Sequence, residues 1–211
     1  MARSIVDQTN GFRATQGLAK TEPDPRLAEA ARSFAAYMAA TDRYAHDADG
    51  SSPAARAQTH GYEFCALSEN IASMLSSRGL STDALARGLA DGWKRSPGHR
   101  KNMLDGNMID IGVAIAQSAR SKRYYAVQMF GRPRSKMIEF SVVNASPRDL
   151  HYDVGGESFT IGPRVRQTHR QCSAAPVTIG AGAQAIRVDP SNGGRYTVEG
   201  FGAEGFRLRR D

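Results

Sequence analysis

The sequence predicts an α+β protein of two domains, and three observations predict it. Apolar residues recur at helical spacing through the first hundred residues. The period falls to two between Ile109 and Phe130. Beyond residue 136, short alternating segments are separated by glycine-rich turns. Together these describe helices layered on a short antiparallel sheet over residues 1–131, a polar linker over 132–136, and a small all-β, sandwich-like domain over 137–211.

Residues 5–15 form a helix that stops near Gly17. Asp24-Pro25 opens a longer one, with proline at a tolerated early position, and Leu27, Ala31, Phe34 and Met38 form its core face. Residues 53–60 form a third, with Gly61 as its stop. Ser81-Thr82-Asp83 is an N-cap cluster for a fourth, which carries Leu85, Leu89 and Trp93 and breaks at Ser96-Pro97-Gly98. The run from His99 to Leu104 begins a short turn or helix.

Ile109, Ile111, Val113 and Ile115 then alternate along a half-buried strand, and residues 124–130 read as its hairpin partner across the polar link 117–123. After the Gly131–Pro133 break come Phe140/Val142, Tyr152/Val154, Phe159/Ile161, Val177/Ile179, Ile186/Val188, Tyr196/Val198 and Phe206/Leu208. Turn signals such as Gly155-Gly156, Gly180-Ala181-Gly182 and Asn192-Gly193-Gly194 divide them.

Composition narrows the function classes. No stretch approaches the ~18–20 uninterrupted apolar residues of a membrane span, so no transmembrane segment is expected. The net charge of +7 is spread out, with 17 basic against 13 acidic residues in 1–133 and 11 against 8 in 134–211. The densest cluster, Arg120, Lys122 and Arg123, reads as a solvated hairpin tip. No basic run is interleaved with aromatics, and specific nucleic-acid binding is not expected. Cys65 and Cys172 are the two cysteines; they permit one bridge and do not make a disulfide framework. Met1-Ala2-Arg3-Ser4 runs directly into a polar helix and reads as no signal peptide. That fits a cytoplasmic protein, or an exported one whose leader has been removed.

No phosphate loop, dinucleotide fingerprint, nucleophile elbow or H-E-x-x-H motif occurs, which leaves the five histidines as the place to look for chemistry. His46 follows the long helix, Glu69 lies in Ser68-Glu69-Asn70-Ile71-Ala72, and His99 stands at the Ser96-Pro97-Gly98 break. If these element boundaries converge, two imidazoles and a carboxylate share a cleft able to ligate a divalent metal or to exchange protons near neutrality. The spacings alone carry no metal-site specificity, and hydrogen-bonding or capping roles are the competing reading. Asn70 and Asn102 read as braces, Trp93 as core, and His169-Arg170-Gln171-Cys172 as surface polar residues.

The pattern Thr9-Asn10-Gly11-Phe12-Arg13, His46, Glu69-Asn70-Ile71-Ala72, Trp93, Ser96-Pro97-Gly98-His99-Arg100-Lys101-Asn102-Met103-Leu104, Ile111-Gly112-Val113 and Gln128-Met129-Phe130 resembles the CAP superfamily. This group comprises cysteine-rich secretory proteins, antigen 5 and pathogenesis-related 1 proteins, also called SCP domains, and the resemblance is to its bacterial branch over about residues 5–131. It implies an α-β-α sandwich with a central cleft, in which His46, Glu69 and His99 match family site residues. The eukaryotic tetrad is incomplete: Tyr124-Tyr125-Ala126 stands where its second histidine would lie, and Trp93-Lys94-Arg95 where its second glutamate would. His46 and His99 are therefore expected to bind a divalent metal such as zinc only weakly. The resemblance implies a secreted or periplasmic binding module for a lipid, a glycan or a protein ligand. The alternative is a hydrolase, for example a peptidase, using His46, Glu69 and His99. A third reading gives recognition to the β-rich tail. If the protein is exported, a Cys65–Cys172 bridge becomes feasible.

Overall fold

A computed structural model describes residues 1–75, 81–180, 182, 185–202 and 205–211. Ala181, in one of the expected turns, lies outside the described residues. The chain divides into two compact units, Met1–Ser135 and Lys136–Asp211. The expected linker is built structure: residues 132 and 133 end a strand, and Arg134–Lys136 form a 3-10 turn.

The first unit contains α1 (Ala2–Thr15), β1 (Glu22–Pro23), α2 (Pro25–Thr41), α3 (Pro53–Thr59), β2 (Phe64–Leu75), α4 (Thr82–Arg95), α5 (Pro97–Met103), β3 (Asp110–Gln117) and β4 (Arg123–Pro133). The helix starts follow from local chemistry. The Asp24 carboxylate accepts from the amides of Arg26 and Leu27, and Ser52 and Ser81 accept from Ala55 and Ala84. Gly61, the expected stop after α3, has φ 77°, a conformation that glycine adopts without Cβ strain.

The sheet has the order β1-β3-β4-β2; β1 runs parallel to β3, and the other pairs are antiparallel. Strand alternation makes this sheet the middle of three layers. Val127 and Met129 of β4 and Ala114 of β3 face Leu27, Phe34 and Met38 of α2. Ala126 and Phe130 of β4 with Ile111 and Val113 of β3 face Ile5, Leu85, Leu89, Trp93 and Met103 on the opposite side. The α-β-α sandwich is thus a direct result of period two meeting period 3.6. Gly112 permits the close approach of one layer, since a Cβ there would stand 2.2 Å from the Leu27 carbonyl carbon.

β2 is the strand the sequence does not announce. Its centre, Ser68-Glu69-Asn70, is polar, yet it pairs with β4 from Phe64 to Leu75. Glu69 therefore sits in mid-strand, not at an element boundary.

The second unit consists of β5 (Ile138–Asn144), β6 (Leu150–Val154), β7 (Glu157–Ile161), β8 (Arg166–Gln171), β9 (Val177–Ile179), β10 (Ile186–Val188), β11 (Arg195–Gly202) and β12 (Gly205–Arg210). They form two four-stranded sheets, β10-β9-β6-β7 and β12-β11-β5-β8. Both contribute to one apolar core: Phe140, Val142, Tyr196 and Val198 come from one sheet, and Leu150, Tyr152, Val154, Val177 and Ile179 from the other. The seven alternating pairs of the sequence all fall on strands; β8 is the addition.

β8 also corrects the reading of His169 as a surface residue. His169 is 8% exposed, stacks on Phe140 at 5.2 Å, meets Phe159 edge-on at 4.7 Å, and is hydrogen-bonded through Nε2 to the Tyr152 hydroxyl at 2.8 Å. Burial pushes the imidazole pKa down, with Glu157 opposing, and it pushes the Tyr152 hydroxyl up to about 12. A histidine whose folded pKa lies below its unfolded value contributes stability that is lost as pH falls through the unfolded value, about 6.5. The melting temperature of the second unit should therefore fall between about pH 7 and about pH 5. The fall should shrink in His169→Gln, which retains a polar group but takes no proton. Scanning calorimetry of both proteins across that range checks this; equal pH dependence would remove His169 as the cause.

Candidate functional site

The loop that carries His46 is pinned at its start. α2 ends at Asp42 in a left-handed conformation (φ 54°), and the Asp42 carboxylate accepts from Ser121 Oγ at 2.6 Å, Arg120 Nε at 2.9 Å and the Tyr125 hydroxyl at 3.1 Å. These donors, Ser121 first, hold the carboxyl well below the usual carboxylate range. The Tyr44 hydroxyl donates to the Ile71 carbonyl at 3.2 Å and lays the loop along β2.

At the far end of the loop, Arg56 of α3 gathers the pieces. Its Nη1 donates to Asp49 Oδ1 at 2.9 Å and the Ser51 carbonyl at 2.8 Å; its Nη2 donates to the His46 carbonyl at 2.8 Å and Glu69 Oε2 at 2.9 Å. Its guanidinium carbon stands 3.5 Å from the Phe34 ring centroid. The Glu69 side chain is only 1% exposed, and this guanidinium is the cation paired with its carboxylate. An ionised carboxylate only accepts. His46 Nδ1, 2.7 Å from Glu69 Oε1, is therefore the donor, and its Nε2 has no hydrogen-bond partner among the described residues, on a ring that is half exposed. Carboxylate–imidazole pairing of this kind fixes a ring's tautomer and orientation for work at the other nitrogen.

His99 comes from the first turn of α5, brought to β2 by a chain of buried amides. Asn70 Nδ2 donates to the His99 carbonyl at 3.2 Å and to Gln128 Oε1 at 2.9 Å. Asn102 Nδ2 donates to Asn70 Oδ1 at 2.8 Å and the Glu69 carbonyl at 3.3 Å, and Gln128 Nε2 donates to Thr9 Oγ1 at 2.9 Å. Asn70 and Asn102 are thus braces, as their sequence context implied, and they tie α5 to the backbone of the strand that carries Glu69. Trp93 is core, its Nε1 donating to the Ile71 carbonyl at 3.0 Å. Burial lowers the His99 pKa, and the nearby His46 lowers it further.

The structure therefore brings His46 and Glu69 into contact and sets His99 near them. Sequence reasoning missed Arg56 and Asp49. A lone arginine in a seven-residue helix carries no signal of burial, and its partners lie at separations without a pattern. Among the described residues, no group of three or more His, Cys, Asp or Glu is placed to hold a metal ion.

The Cysteine-rich secretory protein family, CAP, matches residues 6–130. The chain belongs to the CAP family. An uncharacterised protein of Bacillus subtilis, YkwD, is 30% identical over 117 residues, which are 55% of this chain and 42% of that protein. The chain thus matches less than half the length of that relative. The structure resembles an extracellular SCP-domain protein of Bacillus anthracis, with TM-score 0.52 and 26% identity over 62% of this chain and 40% of that one. It also resembles an outer surface protein of Borrelia burgdorferi, with TM-score 0.53 and 19% identity over 61% of this chain and 90% of that one, a likeness of fold alone. All three of these proteins are bacterial, and the CAP match, residues 6–130, falls within the first unit, Met1–Ser135. No helix among the described residues is long and apolar enough to cross a membrane.

Proposed function

We propose that the CAP unit is a non-enzymatic binding module that works outside the cytoplasm, on a lipid, glycan or protein ligand, with His46 and His99 as the polar contacts of its cleft. The observation that carries this reading is the commitment of Glu69. Its carboxylate is taken up by Arg56 and by His46 Nδ1, which leaves the two imidazoles to meet a ligand, with no third His, Cys, Asp or Glu placed among the described residues to complete a metal site. The extracellular placement draws support from the family's secretory description and from the extracellular SCP-domain relative. It also fits the state of the two cysteines: neither is a free thiol, as suits an oxidising compartment.

A divalent cation such as zinc fits part of this donor set. His46 and His99 would hold it, and Glu69 would orient His46 from behind. The bound ion would supply Lewis acidity and a positive charge for an anionic ligand group. Two imidazoles make a weak, exchangeable site. In calorimetric titration with zinc, the protein should bind with a Kd in or above the micromolar range, and His46→Ala and His99→Ala should each weaken binding at least tenfold without lowering the melting temperature. A Kd unchanged in both variants would remove the metal reading.

The alternative reading is a hydrolase, and the His46–Glu69 pair favours it, because an imidazole backed by a carboxylate is a general base. No serine or cysteine nucleophile is hydrogen-bonded to either imidazole among the described residues, so the base would have to activate water. Turnover of a casein or ester substrate that disappears in His46→Ala would replace the binding-module reading with this one.

A further inference from the structure

The central sheet of the first unit has two outer edges, and the protein treats them differently. At β2 the outward carbonyls are capped by side chains: Ile71 accepts from Tyr44 and Trp93, and Glu69 from Asn102. Capping of this sort removes an edge as a template for further strands.

At β3 the edge is closed only at its start. The carbonyls of Ile109 and Ile111 accept from the amides of Glu22 and Asp24, which fixes the side of the strand that points outward. The chain then turns away at Asp24-Pro25 into α2. Two and four residues farther along, the amides and carbonyls of Val113 and Ile115 point the same way. They have no hydrogen-bond partner among the described residues.

This open stretch lies along a groove. A cavity of about 860 Å³ is lined by Val6, Ile111 and Val113, and one of about 470 Å³ shares Ala2, Ala28 and Val113 with it. A third, of about 420 Å³, continues past Ala116 beside Ala36 and Ala40 of α2. α1 forms one wall and α2 the other; small apolar side chains such as Ala2, Val6, Ala28 and Ala36 line them, with Arg3 and Asp7 of α1 and Glu29 and Arg32 of α2 among them. A strand edge at the bottom of a groove admits a single extended chain. A second copy of this unit would bring its own α1 and α2, which flank its β3, into the same space.

We propose that the β3 edge is a strand-addition site that takes an extended peptide segment as a fifth strand, extending the line begun by β1. The backbone of the peptide would satisfy Val113 and Ile115, and its alternate apolar, β-branched side chains would rest on the α1 and α2 walls. This surface lies on β3, whereas Glu69, which holds His46, is on β2, the strand at the other edge of the sheet.

The test is amide hydrogen exchange on the full chain with the synthetic peptide Lys-Thr-Val-Thr-Val-Thr-Lys. In the free protein, the Val113 and Ile115 amides should exchange fast, while those of Gly112 and Ala114, paired to β4, stay protected. Saturating peptide should slow Val113 and Ile115 at least tenfold, and the same peptide N-methylated at every inner residue should leave them unchanged. Val113→Pro deletes one outward donor without touching the β4 pairing and should weaken peptide binding at least tenfold. If that variant melts early, the N-methylated peptide still decides. No slowing with the unmodified peptide overturns the proposal, and so does equal slowing with the methylated one. Slow exchange in the free protein that grows with protein concentration would assign the edge to a second copy and overturn it as well.

Discussion

Arg13→Met is expected to destabilise the first unit by about 3–5 kcal/mol, the range for removing one partner of a buried charged network. Arg13 is 1% exposed, and burial lowers its pKa while Asp105 opposes the shift. Its Nε donates to the Ala19 carbonyl at 2.8 Å, Nη1 to the carbonyls of Met103 and Asp105 at 2.8 and 2.9 Å, and Nη2 to that of Met108 at 3.3 Å. One guanidinium thus organises the turn after α1 and the whole connection from α5 to β3. Methionine fills the volume but leaves the carbonyls of Ala19, Met103 and Met108 without a donor, each worth about 1–3 kcal/mol if it stays dry, while the Asp105 carbonyl keeps only the Met108 amide. Arg13→Lys should recover little, since one ammonium cannot span carbonyls on both segments. Urea unfolding of the three proteins checks this. A loss below about 1 kcal/mol in Arg13→Met would show that water replaces the guanidinium freely.

Arg56→Met should cost a similar amount, about 3–5 kcal/mol, for a different reason. The loss strands a charge: Glu69 stays buried in β2 with its cation gone, and the His46 loop loses its tie at the His46 carbonyl. Glu69→Gln in the Arg56→Met background should therefore restore a large part of the stability, because a neutral amide needs no counter-ion. A double-mutant cycle by thermal or urea unfolding should give a coupling energy of at least ~1–3 kcal/mol between the two positions. Additive losses would show that the pair is not coupled and that Arg56 acts through Asp49 and Phe34 alone.

These two arginines mark where sequence reasoning stopped. The helices were legible because their caps and apolar periods agree: Asp24 before Pro25, Ser81 before Thr82, and glycine stops at Gly17 and Gly61. β3 and β4 were legible because each face meets a helical layer of uniform apolar character. β2 was not, because its middle residues serve the site. Glu69 and Asn70 break the apolar alternation, and the structure compensates with Arg56 on one face and Asn102 and Gln128 on the other. β8 was hidden in the same way, its core position filled by a histidine that Tyr152 satisfies. His46, Glu69 and His99 could be named from the motif they share with the CAP family, but not the means of their assembly. An arginine reads as surface until something shows it buried, and burial is a property of the fold.

The central claim is that Arg56 and Glu69 hold His46 in one tautomer, with Nδ1 protonated and Nε2 free for a ligand. Long-range proton–nitrogen correlation spectra of the histidine rings in the neutral state test it most directly. The account predicts the Nδ1–H form for His46 in the native protein, and a shift towards the Nε2–H form in Glu69→Gln together with Arg56→Met. A predominantly Nε2–H ring at His46 in the native protein, unchanged by those substitutions, would contradict it.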